Sequence, residues 1–333
     1  MDMLNALVAI LNFVVIPAAA YGAQLALGAL GVTLIYGILR FSNFAHGDTM
    51  AFGTAICILL TWLLQSLGVG LGPLPTALLA LPAAIAATAA LVLLTDRWVY
   101  RYYRRVRAKP IVVVMASVGV MFVMNGLTRL VIGVGEIQFA DGARFVISVA
   151  DFKRWSGLAE GLSLRTTQAI TLVIAAAAVW ALFVFLNRTR AGKAMRAYAD
   201  NEDLALLSGI DPDRVVRLTW IIATALGVLA GTLYGLDKSF KAFNYFQILL
   251  PVFAAAVVGG LGNPLGAIAG GFLIAFSEVA LTYPWKKIAE YLGFEPAGLL
   301  QMLGTEYKLA ISFVILIVVL LVRPTGLFRG KAY

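Results

Sequence analysis

Few side chains in this sequence are equipped for chemistry, and those few stand at breaks in long apolar runs. Asn43, His46 and Asp48 fall within Arg40-Phe-Ser-Asn-Phe-Ala-His-Gly-Asp48, directly after an apolar run. An amide, an imidazole and a carboxylate there can line a hydrophilic route if the break is buried. Non-helical backbone at membrane depth persists only against protein or water. If the break is an ordinary turn, Asn43 is a helix cap and His46 is solvated. Glu278 is the one carboxylate inside a predicted span, and an intramembrane acid is a functional candidate by default. Its competing reading is a structural acid near the outer interface, reached by Lys286 or Lys287. His46 is the only histidine and Cys57 the only cysteine, which leaves no multi-histidine metal site and no intrachain disulfide. No metal and no cofactor is expected.

Enzyme signals are missing as well. Gly192-Lys193 and Gly330-Lys331 lack the remaining glycine and hydroxyl positions of a phosphate loop, so ATP hydrolysis is not expected of this chain. No nucleophile elbow, His-Glu-x-x-His or paired intramembrane aspartate occurs. The polar stretch 188–217 is a different kind of element. It carries basic residues at 188, 190, 193 and 196 and acids at 200, 202 and 203. Residues 193–207 contain no Pro or Gly and are rich in Ala, Leu, Met and Arg, which predicts a helix ending at Ser208-Gly209. Ala194, Ala197, Tyr198 and Leu204 fall at helical spacing and make a small apolar face that another protein could cover. The alternative is a solvated connecting loop. Two glycine rows, Gly227, Gly231, Gly235 and Gly262, Gly266, Gly270, form flat faces suited to close helix packing.

The elements that must position these groups are membrane spans. The chain has 333 residues, 61% hydrophobic and 13% charged, a balance that places it among polytopic membrane proteins. A net charge of +9 would suggest nucleic acid in a soluble protein. Here the basic residues flank apolar spans, so orientation and lipid contact explain them and nucleic acid is not an expected partner. The N-terminus lacks a basic region, so no cleavable signal is expected. Residues 4–20, interrupted by Pro17, either span or lie at the interface. Spans follow at 21–39, 49–66, 75–95, 111–133, 166–187 and 218–236. Two more crossings lie in 246–283, separated by a cytoplasmic or re-entrant break at 259–266, and the last runs from about 307 to 322. The basic segment 96–110, the stretch 188–217 and the tail with Arg323, Arg329 and Lys331 all fall on the cytoplasmic side. Loops 134–165 and 284–306 fall outside, and Phe240, Phe243, Tyr245 and Phe246 read as an interfacial aromatic belt. The expected fold is an all-α polytopic membrane protein of nine to ten helices. Residues 1–333 make a single transmembrane domain with a cytoplasmic loop at 188–217. Residues 26–37 resemble 225–235, and the two spans run in opposite directions, as in an inverted repeat.

The motifs carry a family resemblance. Gly-Val-Thr-Leu-Ile-Tyr-Gly-Ile-Leu-Arg-Phe-Ser-Asn-Phe-Ala-His-Gly-Asp (31–48) resembles the first signature of the branched-chain amino acid ABC-importer permeases. Residues 189–200 with 207–211 resemble their ATPase-coupling loop. Residues 254–267 and Arg-Pro-Thr-Gly-Leu-Phe (323–328) are similar too, so four motifs in order cover about 21 to 328. The resemblance implies a multi-pass permease of a bacterial inner (cytoplasmic) membrane that is not itself an enzyme. It implies a second permease subunit, two cytoplasmic ATP-binding subunits and an extracytoplasmic substrate-binding protein. Gly192, Met195, Arg196, Ala197, Asp200, Gly209 and Ile210 match the coupling motif and would dock the ATPase. The sequence departs from the family at Ser42, in the aromatic-rich 240–247 and in the length of 284–306, which bears on substrate rather than coupling. Permeases for urea or short amides share these motifs. An ion-coupled secondary transporter would want several intramembrane titratable groups, and Glu278 is the one clear candidate.

Overall fold

The computed structural model describes residues 2–291, 293, 298 and 300–328. The predicted positions of Arg329 and Lys331, and part of loop 284–306, lie outside the described residues. Nine helices among them are long and apolar enough to cross a membrane: α1 (Asp2–Leu39), α2 (His46–Ser66), α3 (Ala77–Arg105), α4 (Pro110–Ile132), α5 (Thr166–Arg188), α6 (Pro212–Lys238), α7 (Ala242–Gly259), α8 (Pro264–Thr282) and α9 (Thr305–Val322). The protein is a polytopic all-α membrane protein.

The ambiguity over residues 4–20 resolves into one 38-residue helix, α1. Pro17 does not end it, because the turn at Leu11–Val15 widens to a π-helical one. A proline ring displaces the carbonyl four residues earlier, and a wider turn absorbs that displacement. With nine crossings the two ends of the bundle's chain lie on opposite sides of the bilayer, and the turn after α3 and the loop after α5 share one side.

The centre of the bundle is α1, which packs on α6 and α8, with α7 and α2 completing the core. Helices α1 and α6 run antiparallel: the Gln24 amide reaches the Leu233 carbonyl at 3.4 Å, while Gly31 packs beside the Ala223 carbonyl. These two helices carry the repeated segments 26–37 and 225–235. Buried threonines return their hydroxyls to their own helix; Thr49, Thr54, Thr61, Thr88 and Thr219 each donate to the carbonyl four residues back. That removes the cost of a lone hydroxyl in an apolar interior.

The row Gly227, Gly231, Gly235 seats α6 against α2 and α7. A Cβ at Gly231 would lie 3.0 Å from the Met50 carbonyl oxygen, and one at Gly235 would lie 2.8 Å from the Tyr245 hydroxyl. The second row is shorter than the spacing suggests. Gly266 and Gly270 bring α8 onto the backbone of Gly259 and Ala255, but Gly262 sits in the intervening turn at φ +83° with open space around it. Asn263 caps α8 through its side chain, which fixes that turn. The expected aromatic belt also divides. Phe243 and Phe246 are exposed, whereas Phe240 and Tyr245 are fully buried, and the Tyr245 hydroxyl donates to the Gly231 carbonyl at 2.8 Å. A tyrosine opposite a glycine can bury its ring and still satisfy its hydroxyl.

Outside, residues 134–165 form a small cap with a short antiparallel pairing of Phe145–Ile147 on Leu164–Arg165.

Candidate functional site

The break after α1 is built from a left-handed cap and a buried aromatic stack. Arg40 ends α1 at φ 59°, with its N–H on the Tyr36 carbonyl at 3.0 Å. Its guanidinium donates to the Ala199 carbonyl, in the segment between α5 and α6, at 2.6 Å. Phe41 then turns inward onto Tyr100, with ring centroids 5.4 Å apart, and Tyr100 stacks on Trp220 at 5.1 Å. The Trp220 indole donates to Asp96 at 2.7 Å, and Arg104 grips the same carboxylate at 2.6 and 2.9 Å. A two-pronged guanidinium contact compensates a buried carboxylate that would otherwise be costly.

From there the chain runs back into the bundle. The Asn43 side-chain oxygen accepts from the Ala45 N–H and the Tyr100 hydroxyl, each at 3.2 Å, and the Phe44 N–H donates to Ser117 at 3.2 Å. Asn43 therefore holds the turn as a cap would, but it is buried. His46 is buried too, not solvated. Its ring lies between α1 and α6, where a Cβ at Gly31 would meet it at 2.6 Å and one at Gly227 at 3.1 Å. Gly31 stands eight residues before the end of α1, roughly 12 Å along the axis at 1.5 Å per residue. The stretch 40–45 thus returns into the bundle as non-helical backbone, with Phe41, Asn43 and Ala45 buried and Arg40, Ser42 and Phe44 half-buried against protein.

Asp48, fully buried, faces another way. One carboxylate oxygen accepts from Asn125 at 2.7 Å, and Arg129, one turn further along α4, is within electrostatic reach. Among the described residues the second Asp48 oxygen has no hydrogen-bond partner, while the His46 imidazole lies within reach of the Gly28 carbonyl. An orphaned carboxylate oxygen in a bundle interior is expensive.

Glu278 does not join this group. It lies beside Tyr21, ten residues before Gly31 on α1 and so roughly 15 Å away along the axis. Its carboxylate accepts from Ser312 of α9. The expected lysine partners go elsewhere: Lys286 pairs with Glu290 at 3.8 Å and Lys287 with Glu160 at 2.7 Å. Both lysines lie past the end of α8, whereas Glu278 is a turn inside it and faces α1 and α9.

The segment between α5 and α6 departs from its predicted shape. Instead of one helix over 193–207 there are two, Arg190–Asp200 and Glu202–Leu207, broken at Asn201. Asn201 is extended, and its side chain caps the Leu204 N–H at 3.0 Å. A local cap outcompetes helix continuation at such a residue. Thr189 likewise caps Gly192 at 3.0 Å, and a Cβ at Gly192 would lie 2.6 Å from the Leu186 Cα. Met195 and Tyr198 are buried in the apolar cluster that also holds Phe41, Tyr100 and Trp220, whereas Arg196, Ala197 and Asp200 are exposed. Tyr198 therefore does not share the outer face with Ala197, and Met195 is not available to a partner. Burial, then the hydrogen bond to Glu202 at 2.6 Å, pushes the Tyr198 hydroxyl well above its ordinary range. Gly209 supplies the left-handed turn at φ +80° after the second helix, and the Ile210 N–H returns to the Ala205 carbonyl at 3.0 Å.

Sequence reasoning did not find Asp96, Tyr100, Ser117, Asn125, Arg129 or Trp220. A readable signal exists for two of them, since Asn125 and Arg129 are polar residues one turn apart within a span.

The family model for the permease component of branched-chain amino acid transport systems matches residues 15–320. The permease protein LivH of the high-affinity branched-chain amino acid transport system of Escherichia coli K12 is 31% identical over 310 residues, 92% of this chain and 91% of that protein. BraD of Pseudomonas aeruginosa is 28% identical over 92% of each chain. The probable permease LivH of Methanocaldococcus jannaschii is 30% identical over 92% of this chain and 89% of its own length. Among solved structures, PsaBC from Streptococcus pneumoniae in complex with Fab aligns at a TM-score of 0.49 and 13% identity over 98% of this chain and 93% of that chain, too slight a likeness to carry an argument.

Proposed function

The chain belongs to the family of branched-chain amino acid transport permease components, and from that premise we propose that it is the membrane-spanning subunit of an ATP-driven importer for branched-chain or related hydrophobic amino acids. It pairs with a second permease, and two cytoplasmic ATPases and an extracytoplasmic binding protein complete the importer. The observation that carries this reading is the join between loop and break. Arg40 holds Ala199 at 2.6 Å, and Met195 and Tyr198 pack on the aromatic group that anchors Phe41. A push on the outer face of helix 190–200, at Arg196, Ala197 and Asp200, is therefore delivered to residues 40–45 and to the start of α2.

In this reading the arrangement described above is the closed one. Displacing the break withdraws His46 from its seat between Gly31 and Gly227 and frees Asp48 from Asn125, which exposes polar groups to the route. Asn43 holds the turn through which the movement passes, while Glu278 serves the outer end of the bundle. Binding can drive such a change only through differential contacts in the two states, which the ATPases supply. The test is uptake of radiolabelled leucine into proteoliposomes holding the complete complex, with and without enclosed ATP. Uptake that proceeds equally without ATP would sink the proposal.

A further inference from the structure

A cavity of about 440 Å³ opens at the outer ends of α1, α6, α8 and α9, well away from the break. Phe13, Tyr21, Tyr234 and Tyr283 contribute rings to its wall, and Lys238 and Lys308 contribute two ammonium groups. Lys238 closes α6 and Lys308 lies in the first turn of α9, so both stand at the outer membrane surface. Both line this one cavity, and Lys238 is within electrostatic reach of Lys308. Lys238 has its neighbour Asp237 at 3.4 Å, and Lys308 makes no ion pair within 4 Å among the described residues. Glu278 acts on Lys308 electrostatically, but its carboxylate is buried and committed to Ser312 and Tyr21.

Two cations sharing one concave site are best served by an anion between them. The stacked Phe13 and Tyr283 rings, 6.2 Å apart, mark the depth at which headgroups meet aromatic side chains. Below the cavity α9 exposes Val314, Ile317, Val318 and Leu321 along its length, an apolar track suited to acyl chains. We propose that this cavity holds the phosphate of an anionic phospholipid of the outer leaflet, contacted by Lys238 and Lys308, with its chains along α9.

The experiment is native mass spectrometry of the full chain in detergent, titrated separately with phosphatidylglycerol, phosphatidylcholine and inorganic phosphate. Phosphatidylglycerol should be retained over phosphatidylcholine. Retention should fall at least tenfold in Lys238→Ala/Lys308→Ala and stay near wild type in Lys238→Arg/Lys308→Arg. Lys193→Ala/Lys241→Ala removes the same charge from exposed positions and should change nothing. Where the alanine pair unfolds, Lys238→Gln/Lys308→Gln keeps the stems and reads the same loss. Undiminished retention in the charge-removed pair, an equal loss in the exposed control, or phosphate binding that excludes the lipid would each overturn the assignment.

Discussion

His46 fills the gap between Gly31 and Gly227, so three residues share one volume and none can change alone. A Cβ at Gly31 would fall 2.6 Å from the imidazole. Gly31→Ala should therefore destabilise the protein by about 1–3 kcal/mol, the usual cost of overpacking. Gly31→Ala/His46→Ala should recover part of that loss, read as the unfolding midpoint in detergent; a double variant no better than Gly31→Ala would separate the two residues. His46→Ala alone should lower uptake while the complex still assembles, and unchanged uptake would return the break to a plain turn. Much of this was legible in the sequence, because Asn43, His46 and Asp48 are polar residues standing next to long apolar runs. Their partners were not. Tyr100 and Asn125 lie far along the chain, and only packing brings them to Asn43 and Asp48.

Helix 190–200 has an inner face that belongs to the fold and an outer face that does not. Met195 is 1% exposed, so Met195→Ala should cost about 2–5 kcal/mol as a core truncation does. Ala197 is exposed, so Ala197→Trp should leave the chain's own stability intact and act on a docked partner alone. Co-purification of the ATPases tells these two effects apart: weakened capture by Ala197→Trp at an unchanged unfolding midpoint is expected, and undiminished capture would move docking elsewhere. The sequence marked this stretch as helical by its lack of Pro and Gly, though the loop is shorter than 188–217, since α6 begins at Pro212. It missed the break at Asn201, because helix propensity summed over a window hides a single residue whose side chain can cap the next helix. Pro17 misled in the opposite sense. Its ring looks like a terminator, but a widened turn carries α1 through it.

At the scale of the molecule, the basic loops share one end of the bundle and the 134–165 cap lies at the other, and the positive charge predicts that the basic end is cytoplasmic. Arg107→Cys and Arg190→Cys should react with an impermeant thiol reagent from the cytoplasm alone, and labelling from outside would invert the topology. The outer face has its own latch. Burial pushes the Glu160 carboxyl up, but Lys287 at 2.7 Å and Tyr291 at 2.5 Å more than offset it and hold it below its ordinary range. A depressed carboxylate stabilises the fold above its unfolded pKa, and the contribution is lost as pH falls through the folded value. Hydrogen exchange across 157–165, taken relative to intrinsic rates, should rise on acidification, and Glu160→Gln should abolish that dependence. Span count was legible from apolar length, since the bilayer's thickness sets it. The latch was not, because it joins residues 127 positions apart. The central claim is that ATP-driven force enters through helix 190–200 and reaches the break through Arg40. The most direct measurement is leucine uptake and substrate-stimulated ATP hydrolysis by the reconstituted complex carrying Arg40→Ala. Cutting the link should leave the ATPases bound and hydrolysing while uptake falls at least tenfold. Uptake and hydrolysis that stay coupled at wild-type ratio without Arg40 would contradict the account.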